Sequence, residues 1–394
     1  MNNFYYYTPT KVVFGKNSEL ETGRLVAGFG GKRVLLHFGG ASAKKSGLLD
    51  KVCASLKEAG LSFVELGGVV PNPRLSKVRE GIALCEKEGV DFILAIGGGS
   101  VIDSAKAIGF GLFNKGDVWD FYSKKREPKG SIPAACVLTI AATGSEMSDS
   151  SVITNEEGAL KRGCNSDYSR LKFAIMNPEL TFTLPWFQKA SGAADIIMHT
   201  LERWFDNERK SSELTDAISV SVIKTVMQNI IKIKKEPSNY DAAAELMWAG
   251  SLSHNGLTNC GGSPGRGGDW ACHQLEHELG GMFDVAHGAG LCAVWGSWAR
   301  FVSKENPWRF AALARELFSV NANEAEAAKL CIEKFEAFFV SIDMPVNISG
   351  LGVSLSKEQI KELAWKCSFF GTRKPGAYRP LDIADMETIF SMAK

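Results

Sequence analysis

The sequence predicts an α/β domain with a parallel sheet in its first half and an all-helical domain in its second half. Short apolar runs alternate with helical segments up to residue 184, and long amphipathic stretches with few strand-like runs follow Leu184-Pro185. Strands that alternate with helices in this way are typical of βαβ units and a parallel sheet. We therefore predict two domains, residues 1–184 and 185–394, a number that suits a chain of 394 residues.

Each element of the first domain is predicted from a local pattern. Short apolar runs end at glycine or proline turns, whereas the segments between them repeat apolar residues at helical spacing. Pro71 and Pro73 cannot continue a helix, so a loop follows the second strand. Strands are expected at residues 32–38, 61–66, 91–96 and 134–140, and helices at 48–59, 78–88 and 101–110.

The second domain is predicted to be helical throughout. Apolar residues recur every three or four positions in its amphipathic stretches, which is typical of helices that bury one face. These stretches lie at residues 189–205, 214–232, 241–255, 311–318, 323–342 and 357–368.

The composition argues against several classes of protein. Lys and Arg number 45 against 44 Asp and Glu, a balance unlike that of nucleic-acid-binding proteins. The longest nearly uncharged apolar stretch, residues 132–142, is far short of the ~20 residues that span a bilayer. The nine cysteines include no C-x-x-C pair, which is typical of reduced cytoplasmic thiols, and the N-terminus does not resemble a signal peptide. We expect a cytoplasmic enzyme or binding protein that binds neither nucleic acid nor membranes.

A run of glycines, Gly97-Gly98-Gly99, is followed by Ser100 and lies between a predicted strand and the helix that carries Asp103. Glycine lets backbone N–H groups approach an anion closely, and a helix N-terminus adds a positive dipole end. The turn is therefore a candidate phosphate site, although the G-x-G-x-x-G fingerprint is absent. A tight turn in which Ser100 caps the helix and no ligand binds is the alternative.

A second glycine turn, Gly39-Gly40, follows the first strand and leads to Ser42, Lys44 and Lys45. No acidic side chain stands in this turn, whereas folds that bind NAD hold its ribose with a carboxylate at a nearby strand end. The turn would therefore tolerate the 2′-phosphate of NADP. Two exposed lysines that open a helix are an equally good interpretation.

A group of histidines predicts a metal site. Asp195 and His199 share one helix face, as do His273 and His277, because residues four apart lie one turn apart. His287 follows two glycines and could return to the same point. Imidazoles with one carboxylate suit Fe²⁺ or Zn²⁺. For each histidine taken singly, a packed core or surface residue is the alternative.

Residues 273–277 also match H-x-x-E-H, the inverted zinc-peptidase motif. So short a pattern recurs by chance, and a peptidase has no use for glycine turns at strand ends. A nucleotide-responsive binding protein without catalytic activity is another alternative, and the intact metal positions argue against it.

Longer motifs identify a family. The chain resembles the iron-containing (group III) alcohol dehydrogenases and, within them, the butanol dehydrogenase and broad aldehyde reductase branch. The resemblance runs over essentially the whole chain and implies a Rossmann-like N-terminal domain, a helical C-terminal domain and an active site in the cleft between them. The segments that carry it are NNFYYYTPTKVVFGKNS, GGASAKKSG, PNP, AIGGGSVIDSAK, ATGSE, LPWFQKASGAADIIMHTLE and GRGGDWACHQLEHELGGMFDVAHGAG.

The resemblance implies a role for each candidate residue. Asp195, His199, His273 and His287 would bind the metal, and His277 would lie near the nicotinamide. The absence of an aspartate at the Gly39 turn is similar to the NADP-using branch, although Ala41 replaces a glycine often found there. The implied cofactor-binding residues are Gly39, Gly40, Ser42, Asn72, Gly97, Gly98, Gly99, Ser100, Asp103, Thr139, Thr143 and Lys161.

We therefore expect a homodimeric enzyme that transfers hydride reversibly between NAD(P)H and an aldehyde, giving a primary alcohol. Fe²⁺, or Zn²⁺ as the alternative, would polarise the carbonyl, and NADP(H) would be preferred over NAD(H). His277 would donate the proton or would only pack. The nearest rival is a zinc-dependent polyol dehydrogenase of the same superfamily. An apolar substrate pocket or simply core is expected at Trp248, Trp270, Trp295 and Trp298.

Overall fold

The computed structural model describes residues 1–207, 212–262 and 267–394, and the chain divides into two compact units. The first unit, hereafter the α/β unit, is Thr8–Leu184. The second, hereafter the helical unit, comprises Met1–Tyr7 and Pro185–Lys394.

The N-terminal residues belong to a different unit from the one that the sequence predicts. The predicted first domain includes residues 1–7, but they group with the helical unit. The reason is hydrogen bonding to a distant part of the chain: the backbone N–H of Asn2 donates to the Gly261 carbonyl at 3.0 Å, and its side-chain amide donates to the Gly262 carbonyl at 2.9 Å.

A six-stranded sheet in which every neighbouring pair is parallel forms the centre of the α/β unit. Its strands lie in the spatial order β1-β8-β5-β4-β2-β3, and β6 and β7 form a separate antiparallel hairpin. The parallel sheet confirms the predicted fold class of this half. The strands are β1 Lys11–Phe14, β2 Arg33–Phe38, β3 Ser62–Leu66, β4 Phe92–Gly97, β5 Ala134–Leu138, β6 Ser150–Asn155, β7 Leu160–Asn165 and β8 Phe173–Met176.

Helices cover both faces of this sheet, because alternate residues of a strand point to opposite sides. Leu36 of β2 belongs to an apolar cluster with residues of α1 and α3. The neighbouring His37 faces the other side, where its Nε2 accepts a hydrogen bond from the Ser104 hydroxyl of α5 at 2.8 Å. The helices are α1 Thr22–Gly28, α2 Ser42–Lys45, α3 Leu48–Glu58, α4 Leu75–Glu88, α5 Gly99–Phe113 and α6 Trp119–Tyr122.

The strand order fixes where a ligand can bind in this unit. The chain passes from β2 to β3 on one side and then returns to β4 on the other side of β2. Such a reversal leaves a crevice outside the carboxyl ends of β2 and β4, which is where open α/β sheets bind ligands. The glycine turns at Gly39-Gly40 and Gly97-Gly98-Gly99 follow β2 and β4, so both lie at this crevice.

Four strands, β1, β6, β7 and β8, were not predicted from the sequence because they are short or polar. β1 and β8 have four residues each and pair with each other at one side of the sheet, with β1 at its edge. The hairpin strands β6 and β7 carry serine, threonine, asparagine, lysine and arginine, so their apolar alternation is weak.

The helical unit confirms the helical prediction for the second half. Predicted and observed helices agree to within a few residues for α7–α9 and α12–α14. The C-terminal helix α15 was not predicted, although Asp382 and Asp385 form a capping box at its start. The helices are α7 Trp186–Trp204, α8 Glu213–Lys235, α9 Tyr240–His254, α10 Ala271–Phe283, α11 His287–Val302, α12 Trp308–Phe318, α13 Glu324–Ser341, α14 Lys357–Cys367 and α15 Ile383–Ala393.

Within the described part of the chain, none of the helices combines the length and the apolar character that a membrane crossing requires.

Candidate functional site

Three helices of the helical unit bring four predicted ligands together. Asp195 and His199 lie one turn apart on α7, His273 lies on α10, and His287 is the first residue of α11. Asp195 Oδ1 lies 3.3 Å from His199 Nδ1, 3.8 Å from His273 Nε2 and 3.7 Å from His287 Nε2. Asp195, His199, His273 and His287 are called the candidate metal centre below.

Asp195, His273 and His287 have the spacing that a shared ion requires, because their donor atoms all lie within 4.8 Å of one another. His199 lies outside that group, with its Nδ1 3.3 Å from Asp195 Oδ1. Donor atoms bound at about 2.0–2.1 Å in tetrahedral geometry lie roughly 3.4 Å apart, close to the separations observed here. Among the described residues, Asp195 Oδ1, His199 Nδ1 and His273 Nε2 are buried without a hydrogen-bond partner. A buried polar atom left unpaired costs about 1–3 kcal/mol, so the unpaired atoms favour a cation at their centre. The donor set therefore fits a divalent transition metal.

Two buried carboxylates lie behind the histidines. Glu202 Oε1 accepts hydrogen bonds from both the backbone N–H and the Nδ1–H of His273, each at 2.9 Å. Glu276 Oε2 accepts one from Nδ1 of His287. Such carboxylates fix the ring orientation and leave Nε2 free for a metal. Neither glutamate was predicted as part of the site, although Glu202 continues the face of α7 that carries Asp195.

The environment makes the histidines unlike one another. Burial and then the neighbouring His254 lower the pKa of His199 well below its usual range, which keeps it neutral, as a ligand must be. Burial also lowers the pKa of His273, but the neighbouring carboxylates of Asp195 and Glu202 outweigh it and raise that pKa to about 9. The negative charge that holds a proton at His273 would equally favour a metal cation there.

His254 and Trp270 complete the surroundings of His199. The ring centroids of His199 and His254 are 4.1 Å apart, and the Trp270 ring lies 5.9 Å from His199 and 5.0 Å from His273. The sequence did not single out His254, because it stands alone at the end of α9. Four residues before and after His254 stand Gly250 and Thr258, which are not typical metal ligands. Only the packing of the helices shows that His254 lies beside His199.

The remaining tryptophans named from the sequence have other surroundings. Trp295 and Trp298 are buried among phenylalanines of the helical core. Trp248 is 40% exposed. Of the four, only Trp270 contacts histidines of the candidate metal centre.

His277 lies beside the candidate metal centre but belongs to a different group of donors. Its ring centroid is 6.5 Å from that of His273 and 5.8 Å from that of His287. Donor atoms of His277, Glu276 and His287 lie within 4.8 Å of one another, whereas a separate group unites Asp195, His273 and His287. Because Nδ1 of His287 is bonded to Glu276, its Nε2 is directed to Asp195, and the Asp195 group is the better metal site.

In the α/β unit, the glycine turn of residues 97–100 joins β4 to α5. A Cβ on Gly98 would overlap Ile140, and a Cβ on Gly99 would overlap the Thr143 hydroxyl. Close packing therefore demands glycine at both positions. The N-terminus of the fifteen-residue helix α5 lies at this turn and provides backbone N–H groups and a positive dipole end for an anion.

Other predicted cofactor residues lie in the loops that follow β3 and β5 and in the β6–β7 hairpin. Thr139 follows β5, and its N–H donates to the Gly97 carbonyl at 3.1 Å. Asn72, in the loop after β3, is buried with a positive φ of 53°. The hairpin is joined to this loop, since Thr154 N–H donates to the Pro73 carbonyl at 2.7 Å, and Lys161 lies opposite Thr154 in the hairpin register.

The turn after β2 has a charged neighbour that the sequence did not reveal. Lys44, in α2, pairs with Glu65 at the end of β3, with Nζ 3.6 Å from Oε2. Its ammonium also lies 5.2 Å from the centre of the Phe38 ring. Both charged side chains are largely exposed. A lysine of α2, the helix that follows the Gly39-Gly40 turn, therefore pairs with a carboxylate of the neighbouring strand β3.

Comparisons with known proteins cover the whole chain. The model of the family described as iron-containing alcohol dehydrogenase matches residues 9–178, and that of the Fe-containing alcohol dehydrogenase family, C-terminal, matches residues 189–393. The chain is 37% identical over 392 residues to the probable NADH-dependent butanol dehydrogenase 1 of Bacillus subtilis, covering 99% of each chain. It is 32% identical over 405 residues to the NADPH-dependent aldehyde reductase YqhD of Escherichia coli, covering 100% of each. The crystal structure of NADH-dependent butanol dehydrogenase A from Thermotoga maritima superposes with a TM-score of 0.95 at 36% identity, covering 100% of this chain and 99% of that one.

Proposed function

Because the chain belongs to the iron-containing alcohol dehydrogenase family and is thus an NAD(P)-dependent oxidoreductase, we propose that it interconverts a small aliphatic aldehyde and its primary alcohol, with NADP(H) as the preferred cofactor. The observation that carries this proposal is the candidate metal centre, in which Asp195 Oδ1 lies within 3.3–3.8 Å of one nitrogen of each of three histidines. The names of relatives, butanol dehydrogenases and an aldehyde reductase, support a butanol-like substrate.

In this proposal the metal is Fe²⁺, with Zn²⁺ as the alternative. Its ligands are Asp195, His199, His273 and His287. When bound, the ion supplies a Lewis acid that polarises the substrate carbonyl. Glu202 keeps the His273 ring oriented by accepting a hydrogen bond from its Nδ1–H, and Glu276 does the same for His287. His277 donates the proton that the product alkoxide takes up, since its ring centroid lies 5.8 Å from that of His287, beside the centre.

The glycine turn of residues 97–100 binds the pyrophosphate of the cofactor through backbone N–H groups at the start of α5. Asn72, Thr139, Thr143 and Lys161 line the same crevice of the sheet, and Gly39, Gly40 and Ser42 receive the adenosine end. The nicotinamide carries the hydride, while these residues bind and orient it.

A preference for NADPH follows from charge at the turn after β2. No residue of 39–42 is acidic, and Lys44, in the helix that follows the turn, pairs with Glu65. A cation beside a phosphate is favourable, whereas a carboxylate there would repel it. Relatives differ on this point, since the butanol dehydrogenases are named for NADH and the aldehyde reductase for NADPH. A higher kcat/KM with NADPH than with NADH is the expected result, and the reverse order would refute this interpretation.

We further propose that the enzyme works in the cytoplasm as a homodimer. All nine cysteines are free, which suits a reducing compartment. Light scattering of the purified protein measures its mass, and a monomer at micromolar concentration would contradict the dimer.

One assay tests the reaction itself. Protein purified without oxygen and loaded with Fe²⁺ should oxidise NADPH stoichiometrically when butanal is added, as followed by nicotinamide absorbance. A panel of aldehydes and polyols separates this activity from that of a polyol dehydrogenase. Substrates restricted to polyols, or maximal activity with Zn²⁺ alone, would favour the polyol alternative.

A further inference from the structure

Lys106 is a lysine whose side chain is completely buried in the α/β unit. Its ammonium donates hydrogen bonds to the backbone carbonyls of Ser145 at 2.7 Å, Ser148 at 2.9 Å and Ser150 at 2.8 Å. An ammonium has three donors, so each of its protons has a carbonyl acceptor. All three acceptors lie within residues 145–150, which run from the loop after β5 to the first residue of β6, and this segment therefore folds around a single positive charge.

The charge of Lys106 is maintained by its surroundings. Burial lowers the pKa of Lys106 to about 8, while Asp103 and then Asp149 and Glu146 act in the opposite direction. The ammonium form therefore prevails at neutral pH. A buried charge with three carbonyl partners is costly to break, because removing one partner leaves the other unsatisfied.

Asp103 lies nearly one turn before Lys106 on α5 and binds the same segment. Its Oδ1 accepts a hydrogen bond from the Ser145 hydroxyl at 2.5 Å, and its Oδ2 accepts one from the Val152 N–H at 2.9 Å. Its backbone carbonyl accepts a further bond from the Ser151 hydroxyl at 2.8 Å. Both carboxylate oxygens are thus engaged by protein donors.

The segment that Asp103 and Lys106 hold also packs against the glycine turn of residues 97–100, through Thr143. Thr143 Oγ1 accepts a hydrogen bond from the Ser145 N–H at 3.2 Å, which fixes its side chain. That side chain occupies the space where a Cβ on Gly99 would lie. Fixing Ser145 therefore fixes Thr143 against the N-terminus of α5.

We propose that Asp103 and Lys106 are positioning residues that hold the turn of residues 143–145 against the glycine turn, shaping the site for the cofactor's pyrophosphate, and that Asp103 does not itself contact the cofactor. This inference rests on the proposed function only in assuming that a nicotinamide dinucleotide binds at the glycine turn. The family resemblance places Asp103 among the cofactor contacts, whereas its observed partners are Ser145 and Val152.

A double-mutant cycle on the metal-loaded enzyme tests the link between Asp103 and Ser145. Ser145→Ala removes only the hydroxyl that bonds Asp103, and Asp103→Asn removes the carboxylate charge. Each should raise the Kd for NADPH about tenfold, since a charge-assisted hydrogen bond supports the turn. The double variant should bind no more weakly than the weaker single variant, because coupled residues act as one unit. The kcat at saturating NADPH should stay near the wild-type value.

Two nucleotides locate the effect. ADP carries a pyrophosphate and should lose affinity in parallel with NADPH, whereas 2′-AMP lacks one and should bind the variants as it binds the wild type. Equal losses for both nucleotides would overturn the assignment to the pyrophosphate. A loss in Asp103→Asn without one in Ser145→Ala would mean that Asp103 contacts the cofactor directly, which also overturns the proposal.

Lys106→Met tests the cation, and Lys189→Met is its matched control. Lys189 is a buried lysine of the helical unit whose ammonium donates to the Pro237 carbonyl at 3.0 Å. Both variants should melt at lower temperature, but only Lys106→Met should weaken NADPH binding and speed amide exchange across residues 143–150. If Lys106→Met does not fold, the Asp103–Ser145 cycle still decides. Lower melting temperatures with unchanged Kd values would leave a purely structural role and refute the inference. A wild-type enzyme that binds neither NADPH nor NADH would instead refute the proposed function.

Discussion

The candidate metal centre and the glycine turn of residues 97–100 use opposite parts of the polypeptide. The metal centre is built from side-chain atoms that converge from α7, α10 and α11. The glycine turn is built from main chain, and it exists because side chains are absent where Ile140 and Thr143 pack. The comparison teaches that removing atoms should damage the first site, whereas adding a single carbon should damage the second.

His273→Ala tests the metal centre with the largest expected effect. Loss of one imidazole should release the metal and lower kcat by at least about 10³-fold, because Lewis-acid polarisation is worth several kcal/mol. Metal analysis and NADPH titration of the same sample measure both sites. NADPH binding should remain, since the glycine turn lies in the other unit. Full metal occupancy with normal turnover would contradict the ligand set.

His277→Ala distinguishes a proton donor from a ligand. We expect unchanged metal content and cofactor affinity, with kcat lowered by roughly 10²–10⁴-fold and a flatter pH profile, as for loss of general acid–base assistance. Metal stoichiometry and the pH dependence of kcat are the measurements. A small loss with the same pH profile would mean that His277 only packs, and loss of metal would mean that it is a ligand.

Gly99→Ala tests the opposite rule at the glycine turn. The added methyl would overlap the Thr143 side chain, and such overpacking typically costs about 1–3 kcal/mol, so NADPH affinity should fall about ten- to hundredfold. Metal content should not change. Gly28→Ala is the matched control, because a Cβ there meets nothing within 4 Å. Equal NADPH affinity in the two variants would show that the turn accommodates a methyl group at position 99 and would contradict this prediction.

Glu276→Ala tests the carboxylate behind His287. Loss of such a partner typically lowers metal affinity by about 10–100-fold, and competition with a chelator measures it. Glu276→Gln keeps an acceptor for Nδ1–H and should restore most of that affinity. Asp216→Asn is the control, because Asp216 is a carboxylate of the same unit that pairs with Arg309 and touches no histidine of the site. Metal affinity that falls equally in the control would point to general destabilisation.

The smallest expected effect concerns His37, a buried histidine of the α/β unit. Unlike the histidines of the candidate metal centre, it contributes to stability and not to a binding site. Burial lowers the pKa of His37 from 6.5 to about 4, while its Nδ1–H donates to the Leu66 carbonyl. Because the unfolded chain takes up a proton first, stability is complete above pH 6.5 and is lost as pH falls towards 4. Unfolding free energy should drop by about 2 kcal/mol between pH 7 and 5 from this group.

The measurement for His37 is a difference between two proteins. Thermal unfolding of the wild type and of His37→Gln at both pH values isolates the contribution of this residue from that of other groups. An equal acid sensitivity in the two proteins would show that His37 is not its source.

Much of the site could be named from the sequence because it depends on short spacings. Asp195 and His199 are four apart, as are His273 and His277, and the period of a helix alone places each pair on one face. The predicted family is confirmed by models that match residues 9–178 and 189–393, and the predicted fold class is confirmed by the parallel sheet and the helices. The proposed roles of the individual residues stay predictions.

The partners of these residues could not be named, because they are distant in the chain. Glu202 meets His273 across 71 positions, and Lys44 meets Glu65 on the neighbouring strand. His254 gives no spacing signal at all. From the sequence, Asp103 is a candidate cofactor-binding residue. Only the structure shows that its two carboxylate oxygens already accept hydrogen bonds from Ser145 and Val152.

The sequence by itself determined the local terms: which segments are helices or strands, where glycine permits a turn, and which side chains carry ligand atoms. These depend on interactions over a few residues, which period and residue type encode directly. The tertiary structure decided which carboxylate bonds to which histidine, that Lys44 pairs with Glu65, and that residues 1–7 join the helical unit. Those outcomes depend on hydrogen bonds and packing between segments far apart in the chain, whose distances are set only when the elements fold against one another.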